Sequence, residues 1–360
     1  MTSGVRISED MESEKIMSDK LRFAVIGCGR MGIRRMKAIT TNTQTELVCL
    51  SDNDEAAAKK FSKEMGCDFY PDWEKAVRRP DVDFVVVSVP NKFHGPIAIE
   101  ALQLGKHVWC EKPLARNPKE AFDIVRAAAK TERFLKVGSN LRYFPSVQKA
   151  KVLLDTSAIG EVLFLRGWVG NAGWPVKMWF SNAELSGGGT FLDNGCHLLD
   201  IARWFLGEAR ECIGHVSTLH WQISPLEDNG MGIFTFDKGK LAFIHSSWTE
   251  WAEYMYLEVY GSTGYIRVDN RGTKCITTLG KQDGKQEVFD YSDVPAQSHV
   301  LEFNDCIQAI SSSKQPLPNG FDGLRAVQMA YGVYESSRLG KKVKIWGKEE
   351  EKLLEQLKRG

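Results

Sequence analysis

The sequence has no apolar run long enough to cross a bilayer, no Cys-x-x-Cys pair, no His-Glu-x-x-His motif and no surplus of charge of either sign. Each absence removes a class of function. A membrane span needs ~20 consecutive apolar residues, so no membrane association is expected. Forty-seven basic residues against 46 acidic ones give a net charge of +1, which offers no electrostatic footprint for nucleic acid. The eight cysteines are scattered, several inside apolar runs where Cys behaves as a small hydrophobe. Reduced thiols and a cytoplasmic location are the expectation. Residues 1–20 mix both charge signs without an apolar core, so they are no signal peptide, and a disordered tail is expected there. His94, Asp193 and His197 are ligand types without ligand spacing, so no metal is expected.

What is present begins with Phe23-Ala-Val-Ile-Gly-Cys-Gly-Arg-Met-Gly32. A β-branched run reaches Gly27, Gly29 and Gly32 at G-x-G-x-x-G spacing, and a helical pattern follows from Met31 to about Thr41. The first glycine permits a tight strand-to-helix turn and the second lets backbone approach a pyrophosphate. The third lets helix pack on strand, with the helix N-terminal N–H groups facing the phosphates. A second apolar run, Leu47 to Leu50, ends at Ser51-Asp52, about twenty residues beyond the glycines. A carboxylate there accepts hydrogen bonds from a ribose diol and repels a 2′-phosphate, which favours NAD over NADP. The competing assignment makes Asp52 a cap for the helix starting near Glu55.

Apolar strands alternate with helical patterns as far as Gly138, the mark of a parallel sheet covered on both faces. Two loops leave strand carboxyl ends, Pro90 to His94 and Glu111 to Pro113, and ligands bind at that edge of an open α/β sheet. From about Asn140 the character changes, and paired strand patterns separated by turns read as antiparallel hairpins of one large sheet. The fold class is α/β, with a parallel-sheet Rossmann domain (21–139) and a C-terminal α+β domain (140–346) carrying a large open, mostly antiparallel sheet. A charged tail (347–360) follows.

Asp193 and His197 lie four apart in a helical pattern behind Gly187-Gly-Gly189, so both point from one face. A carboxylate beside an imidazole orients the ring and raises its pKa, as a general base for alcohol oxidation requires. The competing assignment is a helix cap and a core histidine. Lys112, between Glu111 and Pro113, is either a surface lysine or an ammonium that stabilises a substrate alkoxide; whether the Lys112–Pro113 bond is cis or trans is a point to check. His107, His215, His220, His245 and His299 read as structural. The segment Trp168 to Phe180 holds Trp168, Trp174 and Trp179, either sugar-stacking plates or packing anchors.

These motifs resemble the Gfo/Idh/MocA oxidoreductases. The resemblance rests on the glycine fingerprint, Val89-Pro-Asn-Lys-Phe-His94, Gly105-Lys-His-Val-Trp-Cys-Glu-Lys-Pro-Leu114 and Arg142-Tyr-Phe-Pro145. It also rests on Gly187 through Asp200, Asp322-Gly-Leu324 and Tyr334-Glu-Ser-Ser337, in family order over residues 21 to 345. The resemblance implies that Lys112, Asp193 and His197 are catalytic. Gly27, Gly29, Arg30, Met31, Gly32, Asp52, Pro90, Asn91, His94, Glu111 and Lys112 would line an NAD cofactor. Lys112, Asn140, Arg142, Trp179, Asp193 and His197 would face a sugar or polyol substrate. It further implies a homodimer or homotetramer formed through the C-terminal sheet. A redox-cycling glycosidase or lyase and a non-catalytic NAD- or sugar-sensing protein are the rival readings on the same scaffold.

Overall fold

The computed structural model describes residues 20–345 except 253 and 296, so the expectations for the two tails lie outside the described residues. Six strands form the first sheet: β1 (Leu21–Ile26), β2 (Thr45–Ser51), β3 (Asp68–Tyr70), β4 (Phe84–Val87), β5 (His107–Cys110) and β6 (Leu135–Val137). Their order is β3-β2-β1-β4-β5-β6, and every neighbour pair is parallel. The chain switches direction between β1 and β4, so the crevice of this sheet opens beyond the carboxyl ends of those two strands.

Alternation along the strands sorts the core. Phe23, Val25, Phe84, Val86 and Trp109 face one side, under α1 (Arg30–Thr41) and α2 (Glu55–Met65). Ala24, Ile26, Val85, Val87, Val108 and Cys110 face the other. There they meet α4 (His94–Gln103) and α5 (Pro118–Thr131), and the core runs on without a break into the second domain. Short polar side chains cap the helices: Asp54 accepts from Ala57 N, Asp72 from Glu74 N ahead of α3 (Trp73–Val77), and Asn117 from Glu120 N with Pro118 next. Asp54, not Asp52, caps α2.

After α6 (Pro145–Asp155), the second sheet has nine strands: β7 (Val162–Gly170), β8 (Ala209–Ser217), β9 (Asn229–Phe236), β10 (Leu241–Ser247), β11 (Tyr254–Gly261), β12 (Gly264–Arg271), β13 (Ile276–Lys281), β14 (Gln286–Asp290) and β15 (Val343–Lys344). They run in the order β14-β13-β12-β11-β7-β10-β9-β8-β15, antiparallel except for the β7–β10 pair. Between β7 and β8 the chain forms α7 (Ala183–Ser186), α8 (Thr190–Asp193) and α9 (Gly195–Leu206). The helical pattern that carries Asp193 and His197 is therefore two helices, joined at Asn194.

Helix α10 (Ser298–Ser311), which precedes α11 (Gly320–Leu339), has no counterpart in the sequence reading. It returns to the first domain. Phe303, Cys306 and Ile307 enter the core beneath Phe23 and Trp109, with ring centroids of Phe303 5.8 and 6.0 Å from those of Phe23 and Trp109.

Candidate active site

The glycine fingerprint folds as its spacing demands. Gly27 has φ +99°, and a Cβ there would lie 2.3 Å from Ser88 O; a Cβ on Gly32 would lie 1.8 Å from Gly27 O. Gly29 differs, because an added Cβ would meet nothing within 4 Å. The turn is thus closed by two glycines and open to solvent at the middle one. The N-terminus of α1 has no side-chain cap and no acidic residue in its first turn. An uncapped helix start beside open backbone fits a pyrophosphate. Asp52, at the end of β2, accepts from Cys28 N at 2.6 Å and from Asp54 N at 2.9 Å, so its carboxylate lies against the fingerprint loop.

At the carboxyl end of β5, the Lys112–Pro113 peptide bond, whose isomer the sequence left open, is cis. Lys112 Nζ donates to Asp193 Oδ1 at 2.8 Å and to the Asp193 carbonyl at 2.9 Å, joining the parallel sheet to α8. Burial alone would lower the lysine pKa, but Asp193, Cys196 and Glu111 together outweigh it and the net shift is upward. Lys112 is therefore a fixed cation. His197 is almost fully buried, and its Nδ1 has no partner. This corrects the expectation of an Asp193–His197 couple with a raised histidine pKa. Asp193 is committed to Lys112, and burial together with the Lys112 charge holds the imidazole well below the ordinary histidine range. The ring is neutral, and Nε2 is the nitrogen left to meet a ligand.

The buried Glu227 holds α8 in place; sequence reasoning gave it no role. Its carboxylate accepts from Gly189 N and Phe191 N, both at 2.9 Å, and from Tyr334 Oη at 2.8 Å. A Cβ on Gly189 would lie 1.9 Å from Glu227 O, which is the close approach the glycine run permits.

Other sequence candidates are placed differently from one another. Glu111 points inward, accepting from Arg35 Nε at 2.7 Å. Arg35 Nη2 reaches Glu302 of α10 at 2.9 Å, and Glu302 also accepts from Lys136 Nζ and from Ser139 N. His94 is buried, with Nδ1 3.0 Å from Pro113 O and Nε2 2.9 Å from Val89 O, and Asn91 Nδ2 donates to Ser186 O at 2.8 Å. Both side chains brace the strand-end loops from within: the two His94 nitrogens and the Asn91 amide nitrogen lie against protein carbonyls. Arg142 is turned inward as well. Its guanidinium is buried and clamps Asp200 through Nε at 2.7 Å and Nη2 at 2.5 Å. Asn140 donates to Ser298 Oγ at 3.0 Å, and Trp179 is half-buried on Phe180. His299, read as isolated, lies against the fingerprint helix, its Nε2 2.8 Å from Arg34 Nη1. Among the described residues no group of three or more His, Cys, Asp or Glu is placed to hold a metal ion.

The sequence profile of the GFO/IDH/MocA oxidoreductase family, NAD-binding Rossmann fold, matches residues 21–139, and the GFO/IDH/MocA C-terminal domain profile matches residues 147–267. A levoglucosan dehydrogenase of Pseudarthrobacter phenanthrenivorans is 34% identical over 333 residues, covering 78% of this chain and 84% of that protein. The scyllo-inositol 2-dehydrogenase (NAD(+)) of Bacillus subtilis is 25% identical over 337 residues, covering 91% and 97%. Among solved structures, a levoglucosan dehydrogenase in complex with NADH and levoglucosan superposes with a TM-score of 0.83 at 22% identity, over 91% of this chain and all of that one, a likeness of fold.

Proposed function

The chain belongs to the GFO/IDH/MocA oxidoreductase family, and from that premise we propose how it works. It is an NAD(H)-dependent dehydrogenase acting on a secondary alcohol of a sugar, inositol or related polyol, with Lys112, Asp193 and His197 as its catalytic set. The observation that carries this reading is the Lys112–Asp193 pair, with Nζ and Oδ1 2.8 Å apart, one helical turn from His197 and beyond the carboxyl edge of the fingerprint sheet.

NAD, when bound, supplies the hydride acceptor. The fingerprint backbone at Gly29 would hold its pyrophosphate and Asp52 its adenosine ribose. The Lys112 ammonium, kept charged by Asp193, donates to the reacting oxygen and stabilises negative charge as it develops there. Neutral His197 takes the hydroxyl proton at Nε2. The cost of a charged, buried imidazole makes the protonated ring ready to give that proton back when a ketone is reduced. Trp179 offers an aromatic plate for the apolar face of a sugar ring.

The relatives named for an inositol and for levoglucosan support this substrate class. No helix among the described residues is long and apolar enough to cross a membrane. The eight free cysteines support a reducing compartment such as the cytoplasm. The outer face of the nine-stranded sheet exposes Phe164, Leu241, Phe243, Met231, Ile233 and Ile213 together, an apolar area that supports pairing of this sheet with a second copy.

The test is absorbance at the NADH band with protein, NAD and a panel of inositols, aldoses, sugar acids and nucleotide sugars. The expected result is a rise with one class that is lost in Lys112→Met. Glycoside cleavage with no net NADH would instead overturn the assignment in favour of redox cycling.

A further inference from the structure

The segment 171–186, between β7 and α8, starts on the second domain and ends on the first. At its start, Asn171 N donates to Ser247 O at 3.1 Å and Asn171 Oδ1 accepts from Gly173 N at 2.9 Å. Gly173 has φ +74°, and a Cβ there would lie 2.3 Å from the Trp221 ring, whose Nε1–H donates to Trp248 O at 2.9 Å. At its end, Asn91 of the first domain holds Ser186 O, and Arg116 Nη1 donates to Glu184 O at 2.6 Å. Between these anchors Trp174 lies across Arg30, with the guanidinium carbon 4.4 Å from the ring centroid. Phe180 backs Trp174 edge-on at 6.1 Å and stacks on Trp179 at 3.9 Å.

Arg30 opens α1, one residue beyond the unobstructed Gly29. No hydrogen bond or ion pair with another described residue accompanies its contact with Trp174. A ring covering one face of a guanidinium restrains it while leaving its N–H edge available, and that edge is what a phosphate oxygen binds. The stacked pair therefore presents uncommitted cationic donors at the place where the fingerprint backbone is bare, under a segment pinned to both domains.

We propose that Trp174 is a cofactor-retaining residue: stacked on Arg30, it roofs the pyrophosphate groove at Gly29, so that a dinucleotide leaves only when this contact opens. The proposal rests on the dinucleotide reading above. A segment tied at both ends cannot swing away as a whole. Release has to break the stack locally, and the stack therefore acts on dissociation more than on the encounter.

The experiment is stopped-flow displacement of NADH by excess ADP-ribose from the full chain, read by NADH fluorescence, in wild type, Trp174→Ala, Trp174→Phe, Arg30→Ala and the Trp174→Ala/Arg30→Ala double variant. The expected results are a dissociation rate about tenfold faster in Trp174→Ala and a rate within about threefold of wild type in Trp174→Phe, which keeps an aromatic face. The double variant should be no faster than Arg30→Ala alone. An unchanged rate in Trp174→Ala, or multiplicative effects in the double variant, overturns the proposal. Should Trp174→Ala fail to fold, the exposed Arg30→Ala decides by the same rate. A wild-type chain that binds ADP-ribose but releases NADH at the Trp174→Ala rate overturns the retention alone; one that binds neither overturns the dinucleotide reading with it.

Discussion

Replacing Glu302 by Gln removes one negative charge from a cluster with no water to compensate it. Arg35, Lys136 and Glu302 are each at most 1% exposed, and with Glu111 they form a neutral set of two cations and two carboxylates. Trp109 lies beside both cations, 4.2 Å from the Arg35 guanidinium carbon and 5.0 Å from Lys136 Nζ. In the variant Arg35 keeps Glu111, but Lys136 is left with neutral acceptors alone, the amide oxygen of the new side chain and the Val137 carbonyl. Breaking a buried pair from one side costs ~3–5 kcal/mol. The titration of Glu302 gives a second measure. Burial pushes its carboxyl up, Lys136 and Arg35 more than reverse that, and the result is a pKa of about 2 against an ordinary 4.5. A folded pKa below the unfolded one adds stability that is complete above the unfolded value and is lost as pH falls through the folded one. At about 1.4 kcal/mol per unit this is on the order of 3 kcal/mol, in line with the first figure. Urea unfolding of wild type and Glu302→Gln at pH 7 should show that loss. Between about pH 4.5 and 2 the gap should close, as wild type forfeits what the variant never had. Adding Lys136→Met should recover part of it, since the stranded cation goes. A loss below about 1 kcal/mol at pH 7, or parallel pH profiles, would refute the reasoning.

Gly29→Ala should leave stability within about 0.5 kcal/mol of wild type yet weaken NADH about tenfold or more, because its methyl fills the space kept for phosphate. Gly32→Ala should fail to fold or lose several kcal/mol, on the order of an overpacked core, since its methyl overlaps Gly27 O; thermal unfolding and NADH titration together separate the two. Asp52→Ser should raise affinity for NADP relative to NAD by about tenfold in equilibrium binding, and an unchanged ratio would end the 2′-phosphate argument. Burial, reinforced by the Arg133 charge, holds His107 down to about 4. The unfolded chain therefore takes up a proton that the native one refuses, and stability should fall by up to ~1.4 kcal/mol per unit from about pH 6.5 to 4. His107→Asn, which keeps an acceptor for Phe134 N, should flatten that limb in urea titrations at stepped pH.

Local pattern carried the first sheet. Its strands are runs of buried β-branched and aromatic residues, and the caps at Asp72 and Asn117 and the fingerprint glycines are nearest-neighbour chemistry readable in place. The site was half legible for the same reason. Lys112, Asp193 and His197 could be nominated from spacing, but their pairing could not, because Lys112 and Asp193 are 81 residues apart and their meeting depends on how two domains dock. Glu302 and Arg35 escaped notice on similar grounds, and His299 reads from the sequence as structural alone. The signal for α10 was present in Phe303, Cys306, Ile307 and Ile310, at helical spacing on one face, yet nothing local says that this face belongs against Phe23 and Trp109. Asp200, which takes up Arg142, is likewise invisible as a partner until the chain is folded.

Helix α10 has a consequence for how such a protein can be remodelled. It is encoded after eight of the nine strands of the second sheet but completes the underside of the first, giving Glu302 to Lys136 and Phe303 to Trp109. A gene cut near residue 140 would therefore strand two cations and an aromatic face on one fragment and their partners on the other. The exchangeable module is discontinuous. A graft meant to change the substrate would have to replace the middle of the chain and leave both its ends, in sequence terms, to the same owner.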